Sequence, residues 1–290
     1  MWAVVDDLKE FLERNGNSQT LAAVIGFPVN HSLSPTIHNA GFKHLNLQWN
    51  YIPLEVEEGD LEEVFEQMRS SNLKGLSVTM PYKAKAAVMV DECTPTAKAL
   101  GVVNCVTSTD KGLIGHNTDG DGFLKALKHD ADFDPKQKRV VVLGAGGAAK
   151  AITEALGRAE VSSLVVINRT QAKAESTAAL ATDVGTVGDL EDISEADLVV
   201  NATSLGMKDN ATQFPCPVDL IHSDQLVVDL IYHPLKTPWL SAAEQKGART
   251  HNGVSMLLFQ ATEAFTLWTG QQAPVSTMLR AIEEELERRS

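Results

Sequence analysis

The chain has 290 residues, 43% of them hydrophobic and 22% charged, which is enough apolar material for two cores and excludes a disordered polymer. A formal net charge of -13 argues against a nonspecific hold on nucleic acid or anionic membrane, since polyanion binding needs Lys and Arg to displace counterions. Any anionic ligand must be met by local donors.

The opening "MWAVVDDLKEFLERNGNSQT" lacks the basic start and continuous apolar core of a secretory signal, and no uncharged apolar run approaches membrane-spanning length. Cys93, Cys105 and Cys216 are widely spaced with no CxxC pair, which points to a reducing compartment. A soluble cytoplasmic protein is expected. Trp2, Val5, Leu8, Phe11 and Leu12 sketch a short amphipathic helix ahead of the first strand.

From there strand and helix signals alternate. "LAAVIG" reads as a buried strand, "SPTIHNAGFKHL" as a helix, "WNYIPLEV" as a strand and "DLEEVFEQMRS" as a helix. "GLSVTM", helical "YKAKAAVMV" and extended "VVNCVTST" follow. This is α/β organisation with a largely parallel sheet and crossover helices. In "NHSLSP", Ser34 before Pro35 reads as a helix cap, which leaves Ser32 without a local role.

A second unit begins near Asp119. "KRVVVLGAGG" is a strand entering a glycine turn and "AAKAITEALG" continues it as a helix, so Gly144, Gly146 and Ala149 stand in the G-x-G-x-x-A spacing. The first glycine allows the tight turn, the second lets backbone approach a pyrophosphate, and the small third residue permits close helix packing. Gly144, Ala145, Gly146, Gly147 and Ala148 are therefore dinucleotide-binding candidates, with the N-H donors of the helix start aimed at phosphate. The next strand ends "VVINRT" with no acid for a ribose 2'-hydroxyl. Arg169 can fork onto a 2'-phosphate or stack on adenine, Thr170 can donate a hydroxyl, and Lys173 adds charge beside Asn168, so NADP is expected over NAD.

"SVTMPYK" sets Thr79 and Lys83 around Pro81, and "GHNTDGDG" sets Asp119 before a helix. Alcohol oxidation by a nicotinamide needs a proton taken from oxygen as hydride leaves carbon; Lys83 linked to Asp119 could do this. Five histidines, His31, His38, His116, His233 and His251, occupy separate segments without metal spacing, and no metal is expected.

Taken together these segments resemble the shikimate dehydrogenase family. "GFPVNHSLSPTIHN", "SVTMPYK", "GVVNC", "GHNTDGDG", "VLGAGGAAKA", "NRT", "NATSLGM", "DLIYHPLKTP" and "NGVSMLLFQ" follow in the family's order from Leu21 onward. The resemblance implies a discontinuous α/β substrate domain, residues 1-118 and 254-290, and a Rossmann-type NADP-binding domain with a mostly parallel sheet, residues 119-253. A cleft between the two would close over the ligands.

It further implies that Ser32 and Ser34 donate to a substrate carboxylate, with Tyr232 approaching it from the cofactor side. Thr79, Asn104, Asp119 and Gln260 would meet ring hydroxyls, and Lys83 would be the acid/base. Thr203, Ser204, Gly206, Met207 and Gly253 would line the cofactor, although Met207 alone reads as core packing. The implied reaction is reduction of 3-dehydroshikimate, a small anionic polyol, by NADPH. Two positions depart from the family pattern: Ser77 replaces the usual asparagine and Cys105 the usual threonine.

A quinate/shikimate or aminoshikimate enzyme with broader substrate or NAD use is the near alternative. A noncatalytic NADP(H) sensor or scaffold is the distant one. The chain would act as a monomer or homodimer.

Overall fold

The computed structural model describes residues 3–4, 19–207 and 212–289. The helix expected around Trp2, Val5, Leu8, Phe11 and Leu12 lies outside the described residues. The chain divides into two compact units, Met1–Thr118 with Gln260–Ser290, and Asp119–Phe259. The later division falls inside the helix Val254–Thr269 rather than at its start, where the sequence reading sets the boundary.

The first unit carries β1 (Ala3–Val4), β2 (Thr20–Gly26), β3 (Trp49–Glu55), β4 (Leu73–Val78), β5 (Glu92–Cys93), β6 (Cys105–Thr109) and β7 (Gly112–His116). They form one sheet in the order β1-β3-β2-β4-β6-β7-β5. The helices Ser34–His44 and Leu61–Ser70 return the chain so that β2, β3 and β4 run parallel, as crossover connections require. The sheet then turns antiparallel at β6 and β7. The reason is local: Asp110 and Lys111 alone separate the paired residues Thr109 and Gly112, and Thr109 Oγ1 donates to the Gly112 carbonyl at 2.8 Å. So short a link can only make a hairpin.

One face of β2 places Leu21, Ala23 and Ile25 against Val64, Phe65 and Met68 of the helix Leu61–Ser70. The other face meets a ring cluster of His38, Phe42, Tyr51, Phe265 and Trp268. Trp268 lies directly over Gly75, where an added Cβ would sit 2.5 Å from the indole, and its Nε1 donates to the Val106 carbonyl at 3.0 Å. Only glycine lets that indole reach the sheet.

The second unit has β8 (Arg139–Leu143), β9 (Ser163–Ile167), β10 (Gly185–Val187), β11 (Leu198–Asn201), β12 (Leu226–Asp229) and β13 (Arg249–His251), all parallel. The sheet order is β10-β9-β8-β11-β12-β13, the doubly wound arrangement whose direction of winding reverses between β8 and β11. Strands covered by helices on both faces read as unbroken apolar runs, and Val140, Val141, Val142 and Val199 are buried accordingly. The two α/β units with mostly parallel sheets agree with the expected fold class. No helix of the described residues is long and apolar enough to cross a membrane.

Candidate active site

In the first unit, polar candidates gather at the carboxyl ends of the parallel strands β2 and β4, the edge where open α/β sheets bind ligands. The chain leaving β2 runs through Ser32 to the helix Ser34–His44. Ser34 is not the cap that the sequence suggests: Leu33 occupies that position, and Ser34 is already helical. The local bond goes the other way, from the Ser34 N-H to Ser32 Oγ at 3.2 Å, an ST-turn that holds the Ser32 hydroxyl at the start of the helix. Ser34 is buried and Ser32 half-buried.

The C-terminal helix Val275–Arg289 braces this turn, because Arg289 Nη1 donates to the His31 carbonyl at 2.8 Å. Arg289 also donates to Glu285 Oε1. The Arg288 hydrogen bond, with help from Arg289, holds the Glu285 carboxyl down to about 2 against the opposing effect of burial.

The chain leaving β4 carries Thr79 and Lys83. The Thr79 N-H donates to the Ile25 carbonyl and the Phe27 N-H to the Met80 carbonyl, so the two strand exits are tied together. Lys83 opens the helix Lys83–Met89 and is half-buried; its carbonyl accepts from the Val103 N-H at 2.9 Å. The next residue, Asn104, donates through Nδ2 to Thr118 Oγ1 at 2.9 Å and accepts the Thr118 N-H at 2.8 Å. Thr118 Oγ1 in turn donates to the Gln260 carbonyl at 3.1 Å. Asn104 and the Gln260 carbonyl are thus joined through Thr118, while Lys83 is tied by its own carbonyl to Val103, the neighbour of Asn104. Asp119 follows Thr118 directly and is buried.

In the second unit, Gly144 adopts φ +111°, open to glycine and strained for other residues, and an added Cβ would meet the Ala202 carbonyl oxygen at 2.9 Å. Gly146 stands at the cap of the helix Gly147–Arg158, with open space where a side chain would be, and Ala149 is fully buried under that helix. Ala145 lies buried in the turn, while Gly147 and Ala148 begin the helix and are half-buried. After β9, Asn168 Nδ2 donates to the Thr170 carbonyl at 3.0 Å, and Thr170 stands at the N-cap position of the helix Gln171–Ala178 without a side-chain capping bond. Arg169 and Lys173 are exposed beside it, and among the described residues neither takes part in an ion pair. Clear backbone donors beside two exposed cations, with no carboxylate at the strand end, fit a phosphorylated dinucleotide.

The loops after β11 and β12 are held by a buried carboxylate missing from the sequence reading. Asp229 accepts from Thr237 Oγ1 at 2.8 Å, Asn201 Nδ2 at 3.0 Å and the Ile231 N-H at 3.2 Å. Burial pushes its proton affinity up, against the downward pull of these bonds. Asn201 Oδ1 also receives Thr203 through both its N-H and Oγ1. This network shapes the segment holding Ser204, Gly206 and half-buried Met207, and the one leading through Ile231 to half-buried Tyr232. The Gly253 N-H donates to the Ile231 carbonyl at 3.0 Å, which binds the start of the helix Val254–Thr269 to the same loop. The signal in the sequence was the lone polar residue closing each apolar strand, "LVVN" and "LVVD".

Thr237 also caps the helix Pro238–Gln245 by accepting from the Leu240 N-H. Thr237→Val is therefore expected to cost about 1–2 kcal/mol, from a lost cap and one unpaired carboxylate oxygen. Urea unfolding of the two proteins, compared at one pH, measures this difference.

A doubly wound parallel sheet with a glycine turn and exposed cations, carried in one chain with a polar network of Asn104, Thr118 and Gln260, defines the class: nicotinamide-dependent oxidoreductases of the two-unit α/β type. The comparisons with known proteins narrow it. Residues 24–106 match the shikimate dehydrogenase substrate binding domain, residues 126–208 the shikimate / quinate 5-dehydrogenase model, and residues 253–283 the shikimate 5'-dehydrogenase C-terminal domain.

A shikimate dehydrogenase (NADP(+)) of Moorella thermoacetica is 42% identical over 279 residues, covering 93% of this chain and 94% of that one. The shikimate 5-dehydrogenase of Thermus thermophilus, solved in complex with NADP(H) and shikimate, superposes with TM-score 0.85 at 35% identity, covering 92% and 99% of the two chains. Quinate dehydrogenase of Corynebacterium glutamicum in complex with NAD also superposes with TM-score 0.85, at 30% identity and with 92% and 99% coverage. The chain belongs to the shikimate dehydrogenase family.

Proposed function

We propose that this chain is an NADP-dependent shikimate dehydrogenase that interconverts 3-dehydroshikimate and shikimate. The observation that carries the reading is the network joining Asn104, Thr118 and the Gln260 carbonyl, with the Lys83 backbone bonded to Val103 next to it, in a chain that also bears the Gly144 turn and Arg169.

NADPH, when bound, supplies the hydride. The Gly144–Ala148 turn holds its pyrophosphate, Arg169 with Thr170 and Lys173 its 2'-phosphate, and the loops bearing Thr203, Ser204, Gly206, Met207 and Gly253 its nicotinamide end. Ser32 and Ser34 donate to the substrate carboxylate, and Tyr232 supplies a third donor there. Neutral donors satisfy one carboxylate without a basic patch, in keeping with the acidic chain. Thr79, Asn104 and Gln260 orient the ring hydroxyls.

Lys83 delivers its proton to the ketone oxygen as the carbon is reduced, and takes it back in the reverse direction. Asp119, covalently next to Thr118 and so tethered to the Asn104 network, is the carboxylate that supports it. We further infer a cytoplasmic enzyme, monomeric or homodimeric, with no nucleic-acid partner.

Arg169→Ala is expected to raise KM for NADP+ about 10- to 100-fold and leave KM for NAD+ within threefold, because the lost cation opposes only the extra phosphate. Equal weakening of both would refute that role. A second reading, a quinate-preferring enzyme, is favoured by Ser77, whose short side chain leaves more room than an amide beside the ring. Initial rates with shikimate and quinate, each with NADP+ and NAD+, decide between them; a preference for quinate and NAD+ would overturn the proposal.

A further inference from the structure

The carbonyl held by the C-terminal helix belongs to the peptide that joins His31 to Ser32, so the grip reaches the first serine of the turn directly. That peptide is fixed at both ends: Arg289 Nη1 donates to the His31 carbonyl at 2.8 Å, and the Ser32 N-H donates to the Val29 carbonyl at 2.9 Å. A peptide is planar, so holding its oxygen and its hydrogen leaves the Ser32 Cα little freedom to turn. Ser32 Oγ accepts the Ser34 N-H, which occupies a lone pair and leaves the hydroxyl its one proton to donate. Further back, the Val29 N-H donates to Glu55 Oε2 at 3.2 Å. Two charged side chains from distant parts of the chain thus hold the turn, Glu55 at the end of β3 and Arg289 on the last helix.

Arg289 reaches the turn because its helix is docked and its guanidinium is aimed. Met278, Ile282 and Leu286, each four positions from the last, are buried along one face of the helix Val275–Arg289. Thr277 Oγ1 lies 3.1 Å from His44 Nδ1 at the end of the helix Ser34–His44, and Arg289 meets His31 just ahead of that helix's start. The two helices run antiparallel, and contact at one end sets contact at the other. Arg289 makes its two bonds from different nitrogens: Nε donates to Glu285 Oε1 at 2.7 Å, one helical turn back, while Nη1 takes the His31 carbonyl. A planar fork makes both bonds from one orientation, which the point charge of a lysine ammonium does not. Arg288, next to it, donates to both oxygens of Glu285.

We infer that Arg289 is a positioning residue for substrate binding: aimed by Glu285, it locks the His31–Ser32 peptide so that the Ser32 hydroxyl faces the substrate carboxylate before the substrate arrives. A turn ordered in advance loses little freedom on binding, so its contribution falls on affinity. Arg289 acts through Ser32 and not on the reacting carbon, which leaves turnover of the bound complex untouched. This rests on the reading of Ser32 as a carboxylate donor.

In steady-state kinetics of the full chain, Arg289→Ala should raise KM for shikimate about 5- to 10-fold, with kcat and KM for NADP+ within twofold of the parent. Arg289→Lys, which can donate to the carbonyl without the fork, should fall between the two. Arg288→Ala keeps the Arg289 bond to His31 and controls for the helix end; its KM should stay within twofold. A helix end that merely stabilised the unit would act differently, since its loss would thin the folded population and lower kcat at constant KM. In the Ser32→Ala background, Arg289→Ala should add less than twofold. An unchanged KM in Arg289→Ala, an equal rise in Arg288→Ala, or the full effect surviving without the Ser32 hydroxyl would overturn the inference. If Ser32→Ala itself left KM at the parent value, the carboxylate site assigned above would be wrong and this inference with it; if Ser32→Ala raised KM and Arg289→Ala did not, only the role of Arg289 would fall.

Discussion

Replacing Lys83 with alanine is expected to lower kcat for shikimate oxidation about 1000-fold, the usual range for removing a positioned acid/base being roughly 100- to 10,000-fold. The fold should survive, because the Lys83 carbonyl accepts the Val103 N-H and alanine offers the same carbonyl. The Asn104, Thr118 and Gln260 bonds also do not pass through the lysine side chain. NADPH affinity should be unchanged, since the Gly144 turn and Arg169 belong to the other unit. Stopped-flow turnover and NADPH fluorescence titration measure the two halves of this expectation. Turnover within threefold of the parent would remove Lys83 from the chemistry.

Acidification should destabilise the first unit through a single ring. Burial brings the His38 imidazole down to about 3 from its ordinary 6.5, because no surrounding group compensates a charge among Phe42, Tyr51, Phe265 and Trp268. The unfolded chain therefore takes up a proton below about pH 6.5 that the folded chain refuses until near pH 3. Stability is lost as pH falls through that window, at about 1.4 kcal/mol per unit, or about 2 kcal/mol between pH 6.5 and pH 5. His38→Phe keeps a ring in the stack and should remove that share of the acid dependence. Urea midpoints of parent and variant at pH 7.5 and pH 5 make the comparison, and parallel losses in the two proteins would refute it.

The sequence carried the glycine turn because its spacing, its preceding strand and its following helix are consecutive. The same holds for the missing acid after "VVIN", which can be read within a few residues of the strand. The hairpin of β6 and β7 was legible in principle from "TSTDKGLIG", yet the alternating strand and helix signals on either side suggested a parallel continuation. Ser34 was misread as a cap because serine before proline signals a helix start without saying on which residue the helix begins.

Other features depend on partners that no local pattern connects. Asp229 and Thr237 closed apolar or proline-marked segments without any sign that they would bond, and His38 and Tyr51 stand in a helix and a strand with nothing local to show that their rings would stack.

From the sequence came the α/β class, the dinucleotide turn, the preference for a phosphorylated cofactor and the lysine, since each is written in residue types a few positions apart and obeys local geometry. The tertiary structure alone decided that Thr118, already bonded to Asn104, would donate to a carbonyl 142 positions further along the chain, and that the His38 and Tyr51 rings would stack with centroids 4.5 Å apart. Hydrogen bonds form wherever folding leaves a donor and an acceptor within about 3 Å, and sheet register and helix docking set that proximity over distances along the chain that no periodicity spans.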